Sequence, residues 1–174
     1  YQSHMILSVG SNMERKGIEY ILKALPIIKK KYANTKLVMI GRKSWFFKKQ
    51  MEKIVKKYDL YENINEEWYI DEKDIPKYLK NANVFVMPSI IEALGQVYME
   101  AMCMKIPVIG TNVGGVPEVI SKDCGYLVEP KNSKEIAEKI IEIFDDPQKA
   151  KELGENGRKI VEKKFSMNKM VDDT

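Results

Sequence analysis

The sequence predicts an α/β domain built on a doubly wound parallel sheet, and three observations carry that prediction. Apolar runs of strand length alternate strictly with helical segments along the chain. The strand runs are continuously apolar, as parallel strands covered on both faces require. No Pro/Gly-rich linker, low-complexity segment or internal repeat interrupts the pattern, so one domain is expected. Ligands then belong outside the carboxyl ends of the strands.

The elements follow in order. "MILSVG" is an apolar run ending in Gly, a buried strand. In "KGIEYILKALPIIKKKY", Ile18, Ile21, Leu22, Leu25 and Ile28 fall at helical spacing. Pro26 predicts a kink or an early end there. "KLVMIG" is a second strand. "WFFKKQMEKIVKKY" is a helix with Phe47, Met51, Ile54, Val55 and Tyr58 on one face. "EEWYI" is the expected third strand, "DIPKYLKNA" a short helix, "VFVMP" a fourth strand and "GQVYMEAMCM" a helix. "PVIGT" is a fifth strand, "GVPEVIS" a short helix and "GYLVEP" a sixth strand. "SKEIAEKIIEIF" is a helix with Ser133 as its expected cap. "DPQKAKELGENGRKIVEKKF" is the last helix, with Pro147 in its first turn.

The chain has 174 residues, enough for one domain with a sizeable core or for half of a larger enzyme. Its net charge of +4 slightly favours anionic ligands. The basic residues are nearly all Lys, with Arg at 15, 42 and 158 alone. A reader of nucleic-acid backbone would carry a clustered basic stripe, so no nucleic acid is expected. Cys103 and Cys124 lack metal-ligand spacing and lie in apolar contexts. They read as buried free thiols, which suits a reducing cytoplasm. No segment is long and apolar enough to span a bilayer, and no signal peptide is visible. Residues 1–5, "YQSHM", read as a tag or cloning scar and are set apart from a domain over 6–174. That removes His4, the single histidine, from the candidate catalysts.

Three stretches carry candidate chemistry. In "SVGSNMERKG" a strand runs through a Gly-containing loop into a helix, with Arg15 and Lys16 beside it. Backbone N–H groups and two cations there suit an anion such as a diphosphate, and an ordinary turn with a solvated basic pair is the plain alternative. In "PSIIEALGQVYMEAMCM", Glu92 projects from the loop after the fourth strand and Glu100 lies in the following helix. That helix is apolar nearly all round and is expected to be buried, so Glu100 needs donors. Ligand hydroxyls would supply them; a water-filled edge or a Lys partner would do the same. In "IGTNVGGVPEVI", Gly114 and Gly115 form a second glycine loop, which either approaches a ligand or simply needs Gly for its turn. Glu118 reads as a surface or capping residue.

Together these stretches resemble the donor-binding half of the retaining glycosyltransferases of family four, also called group 1. The E-x(7)-E signature is matched by Glu92 and Glu100, with P-S before it, E-A-M after it, a P-V-I strand, a G-G-x-P-E turn and a G-x-L-V-x-P strand. "SVGSNMERKG" is similar to the family's V-G-R…K-G segment, and "GENGRKIVEKKFS" to its closing helix. The resemblance covers nearly the whole chain after residue 5.

The resemblance implies the C-terminal, Rossmann-like half of a GT-B fold, binding a nucleoside-diphosphate sugar as substrate. It implies that Glu92 reaches the sugar as the catalytic carboxylate and that Glu100 binds the ribose hydroxyls. It further implies that backbone N–H groups near Leu94, Gly95 and Gln96 face the sugar and diphosphate, and that Lys16 holds the diphosphate. The chain departs from the family at Ser11, where Arg is usual, with Arg15 a candidate replacement. It departs again at Ala93 and Leu94, in E-A-L-G where the family has E-G-F-G. No cofactor and no metal are expected. The acceptor is left open as a glycan, a lipid or a small molecule, and with it a peripheral membrane association of the full-length protein. Base specificity is expected from loops at residues 41–44 and 69–71. The acceptor-binding N-terminal domain is absent from this chain, so the isolated piece is expected to bind donor weakly and to be inactive. The alternative is a nucleotide-sugar-binding module without catalysis, with Ser11 and Ala93 as its symptoms. A flavodoxin-like signalling domain would need an acidic pocket after the first strand, which "VGSNMERKG" does not offer.

Overall fold

The computed structural model describes residues 4–10, 14–42 and 45–164, with the backbone alone described for 45–47 and 72. The strands are β1 (Met5–Gly10), β2 (Lys36–Gly41), β3 (Ile64–Trp68), β4 (Val84–Met87), β5 (Val108–Thr111) and β6 (Gly125–Val128). They form one six-stranded sheet in the order β3-β2-β1-β4-β5-β6, and every pairing is parallel. The helices are α1 (Ile18–Lys29), α2 (Trp45–Tyr58), α3 (Ile75–Asn81), α4 (Gln96–Cys103), α5 (Val116–Val119), α6 (Ser133–Asp145) and α7 (Pro147–Lys164). The strand order reverses between β1 and β4, which opens a crevice at their carboxyl ends.

Strand alternation sends side chains to two cores. Ile6, Leu37, Met39, Val86 and Ile109 pack under α1, α2 and α6. Leu7, Val38, Ile40, Phe85 and Val108 face the opposite way, toward α3, α4 and α5. The inner strands are thus covered on both faces, which is why their sequences read as unbroken apolar runs. On α2, Met51, Ile54 and Val55 are buried and Tyr58 packs at the edge. The side chain of Phe47, assigned to the same face, lies outside the described residues.

Several expectations are corrected in detail. Pro26 does not end α1, which runs on to Lys29. The buried Leu25 and Ile28 hold that last turn against the core in place of the backbone bond that Pro26 lacks. The third strand is INEEW rather than EEWYI. Tyr69 leaves the sheet with φ 64° and so ends the strand. Asn65 and Glu66 are exposed because β3 is an edge strand with one neighbour. Helix α6 is capped by Asn132 and not Ser133: the Asn132 side chain accepts the Glu135 N–H at 3.2 Å. The Asn132 side-chain amide donates to the Glu135 carboxylate at 3.0 Å, and the same carboxylate oxygen accepts the Glu129 N–H at 2.9 Å. Cys124 is buried as expected, whereas Cys103 is exposed.

At the start of the sheet, Met5 pairs with Lys36 as the first residue of β1. His4 stands with its ring centroid 4.6 Å from Tyr32 and 4.4 Å from Phe144. Among the described residues, no helix is long and apolar enough to cross a membrane.

Candidate functional site

Three loops meet at the carboxyl ends of β1, β4 and β5. The turn before α1 docks onto the loop after β4: the Ile90 N–H donates to the Arg15 carbonyl at 2.8 Å. Gly17, at φ 71°, lies so close to Pro88 that a Cβ there would stand 2.0 Å from the Pro88 carbonyl oxygen. Only glycine accepts both the left-handed backbone and that approach. On the other side, the Gly115 N–H donates to the Ala93 carbonyl at 2.8 Å. A Cβ at Gly114 would fall 1.8 Å from the Glu92 carbonyl oxygen. The glycine pair of residues 114–115 therefore buttresses the Glu92 loop from behind. The Thr111 hydroxyl adds a bond to the Ser89 carbonyl at 2.6 Å.

Held between these loops, the Glu92 carboxylate forms an ion pair with the Lys16 ammonium. Their side chains are 11% and 21% exposed, which shields the pair from solvent screening. The Ser89 hydroxyl donates to the same Glu92 oxygen at 3.2 Å. The aliphatic stem of Lys16 lies over Gly10, where a Cβ would meet Lys16 Cγ at 2.9 Å. Beneath the loop, Tyr98 is buried, donates its hydroxyl to the Met87 carbonyl and stands edge-on to Phe85 at 5.8 Å. Burial, and after it the Glu92 charge, push the Tyr98 phenol well above its ordinary pKa, so it stays a neutral donor.

Helix α4 starts at Gly95 in the left-handed region. Its first-turn N–H groups form the positive end of the helix dipole, roughly half an elementary charge. Gln96, Glu100 and Cys103 fall at helical spacing on one face and line a cavity of about 1040 Å³. Gly10 of β1, Gly41 of β2, Arg42, Tyr69 and Ile70 line the same cavity. It lies at the strand-order reversal, where this class of sheet holds its ligands. Its size suits a nucleotide-sized ligand.

The structure thus brings Lys16 and Glu92 into contact and puts Gln96 and Glu100 on the cavity wall. Leu94 is half-buried and Gly95 buried in the turn between them. The Arg15 side chain is exposed, and its backbone carbonyl makes the loop contact. Ser11 lies outside the described residues. The expectation that α4 is buried all round is corrected, because Glu100 is exposed. Only Tyr98, Ala101 and Met102 of that helix are buried, so it is amphipathic. Glu118 is exposed, as expected of a surface residue. Cys103 and Met104 were missed as cavity residues. The spacing of Cys103 from Gln96 and Glu100 would have revealed that shared face.

Comparison with known proteins completes the description. Residues 2–160 match the family described as Glycosyl transferases group 1. The capsular polysaccharide biosynthesis glycosyltransferase CapM of Staphylococcus aureus is 36% identical over 162 residues, covering 91% of this chain and 41% of that protein. The chain spans about half the length of the curated relatives it matches. Among solved structures, the C-terminal domain of a glycosyl transferase group 1 family protein (LpcC) from Francisella tularensis superposes with a TM-score of 0.86 at 32% identity. That match covers 94% of this chain and 87% of the other. Sucrose-phosphate synthase from Thermosynechococcus elongatus gives a TM-score of 0.89 at 31% identity, covering 98% of this chain and 43% of that one.

Proposed function

The chain belongs to the family of group 1 glycosyl transferases, and we propose that it is the donor-binding domain of a retaining member. In this reading it holds a nucleoside-diphosphate sugar while a second domain presents the acceptor. The observation that carries the reading is the meeting of Lys16, Glu92 and the amino end of α4 beside a cavity that Glu100 lines.

The chemistry follows from charge. When the glycosidic bond to the diphosphate breaks, negative charge builds on the leaving oxygens. A fixed ammonium and the N–H groups at a helix start stabilise that charge without reorganising. The Lys16 ammonium and the backbone of Leu94, Gly95 and Gln96 fill those roles. Glu92 holds sugar hydroxyls and tolerates the oxocarbenium character that develops at the sugar. Glu100 accepts from the ribose hydroxyls inside the cavity. The diphosphate charge is met by side chain and backbone, without a metal. The loops around Arg42 and Tyr69, which line the cavity, are the segments this reading assigns to the base.

A calorimetric panel of UDP, GDP and ADP with their sugars tests the proposal. Saturable binding of one nucleoside diphosphate in the micromolar to millimolar range is expected, equivalent to roughly 4 to 8 kcal/mol. No saturable binding of any of them would overturn it.

A further inference from the structure

The partner that Lys16 holds is itself an anion of the site. Its ammonium is bonded to Glu92, and the Ser89 hydroxyl donates to the same carboxylate oxygen. The pair is held from both sides. Gly10, which lines the cavity, carries the Lys16 stem, and Gly114 backs the Glu92 carbonyl. Lys16 therefore spans from the cavity wall to Glu92, and that carboxylate offsets part of the attraction its ammonium exerts on a second anion. A diphosphate placed on Lys16 meets the field of Glu92 at close range, which weakens its hold.

We propose that Glu92 is an internal competitor for the diphosphate lysine, and that the donor's own sugar releases the competition. This rests on the reading of Lys16 and Glu92 given above. With a nucleotide sugar in place, sugar hydroxyls donate to Glu92 and take over from the ammonium, so Lys16 turns to the diphosphate. Once the sugar has left, Glu92 loses those donors and draws Lys16 back. The nucleoside diphosphate is then held by one cation fewer. The same carboxylate that holds the sugar thus biases the site toward the intact donor and against its product.

The test is calorimetry on the chain as it stands, with the nucleoside diphosphate that binds best and its sugar conjugate. Glu92→Gln keeps the shape and removes the competing charge. It is expected to tighten nucleoside diphosphate binding by about three- to tenfold, the scale of a half-buried ion pair. The nucleotide sugar should gain less or lose affinity, so the preference for intact donor falls. In a Lys16→Ala background the same change should tighten nucleoside diphosphate binding less than in the unaltered chain, because the residue competed for is gone and only the direct repulsion of the carboxylate remains; an equal gain in both backgrounds would overturn the competition. Glu92→Asp, which draws the carboxylate back by one methylene, should tighten binding in the same direction and serves if the Gln variant does not fold. Unchanged or weaker nucleoside diphosphate binding in the folded variants overturns the competition and leaves donor binding standing. Absence of any nucleotide binding by the unaltered chain removes both.

Discussion

Glu92 and Glu100 are eight residues apart in sequence but sit in different surroundings. Glu92 is nearly buried in an ion pair, whereas Glu100 is exposed on a cavity wall. Their substitutions should therefore separate. Glu100→Gln should weaken nucleoside diphosphate binding by about three- to tenfold, since a charge-assisted hydrogen bond becomes a neutral one at a wet site. Its melting temperature should hardly move, because exposed substitutions stay within about 0.5 kcal/mol. Calorimetry and thermal melting on the same variant check this, and a stability loss without an affinity loss would make Glu100 structural. Gly17 behaves in the opposite way. Gly17→Ala drives a Cβ onto the Pro88 carbonyl at a positive φ, which should destabilise the fold by about 1 to 3 kcal/mol in denaturant unfolding. The two glutamates were legible in the sequence as a spaced motif. The Lys16–Glu92 contact was not, because 76 residues separate the partners. It arises only because β1 and β4 become neighbours at the reversal of strand order.

At the scale of elements, apolar periodicity located β1, β2 and α2 to the residue and β4, β5 and β6 to within about two residues, since core burial writes itself directly into the pattern. The misplacements occur where tertiary contacts decide. Strand β3 shifts because an edge strand needs one covered face and Tyr69 breaks out of it. Helix α4 reads as buried all round, yet the crevice leaves one of its faces open. Helix α6 carries a network that sequence spacing cannot reveal. Glu142 accepts from Tyr126 at 2.6 Å on β6 and from Lys149 at 2.6 Å on α7. Lys149 first, then Tyr126 and Lys139, hold its carboxyl down at about 2 from an ordinary 4.5. A lowered carboxyl contributes stability that is present above its unfolded pKa and is lost as pH falls toward the folded one. Glu142→Gln should thus lower the melting temperature at pH 7, with the gap to the unaltered chain closing between pH 4.5 and 2. A gap that stayed constant over that window would remove Glu142 from the acid response.

For the molecule as a whole, the doubly wound sheet and its ligand edge were readable because alternation and continuous apolar strands leave few other arrangements. The size of the cavity and its walls on β1, β2, α3 and α4 were not, because they depend on how segments distant in sequence pack together. If side chains and backbone alone neutralise the diphosphate, affinity for a nucleoside diphosphate should be unchanged by EDTA, and a large loss on chelation would assign that task to a metal. The central claim is that the crevice between β1, β2 and α4 is the donor site. The most direct measurement is a titration of the isotopically labelled chain with UDP, GDP and ADP, followed through backbone amide resonances. One nucleotide should shift the amides of Gly10, Gly41, Ile70, Gln96 and Glu100 together and saturably, with those of α2 and α6 unmoved. Saturable shifts centred elsewhere, or none with any nucleotide, would contradict it.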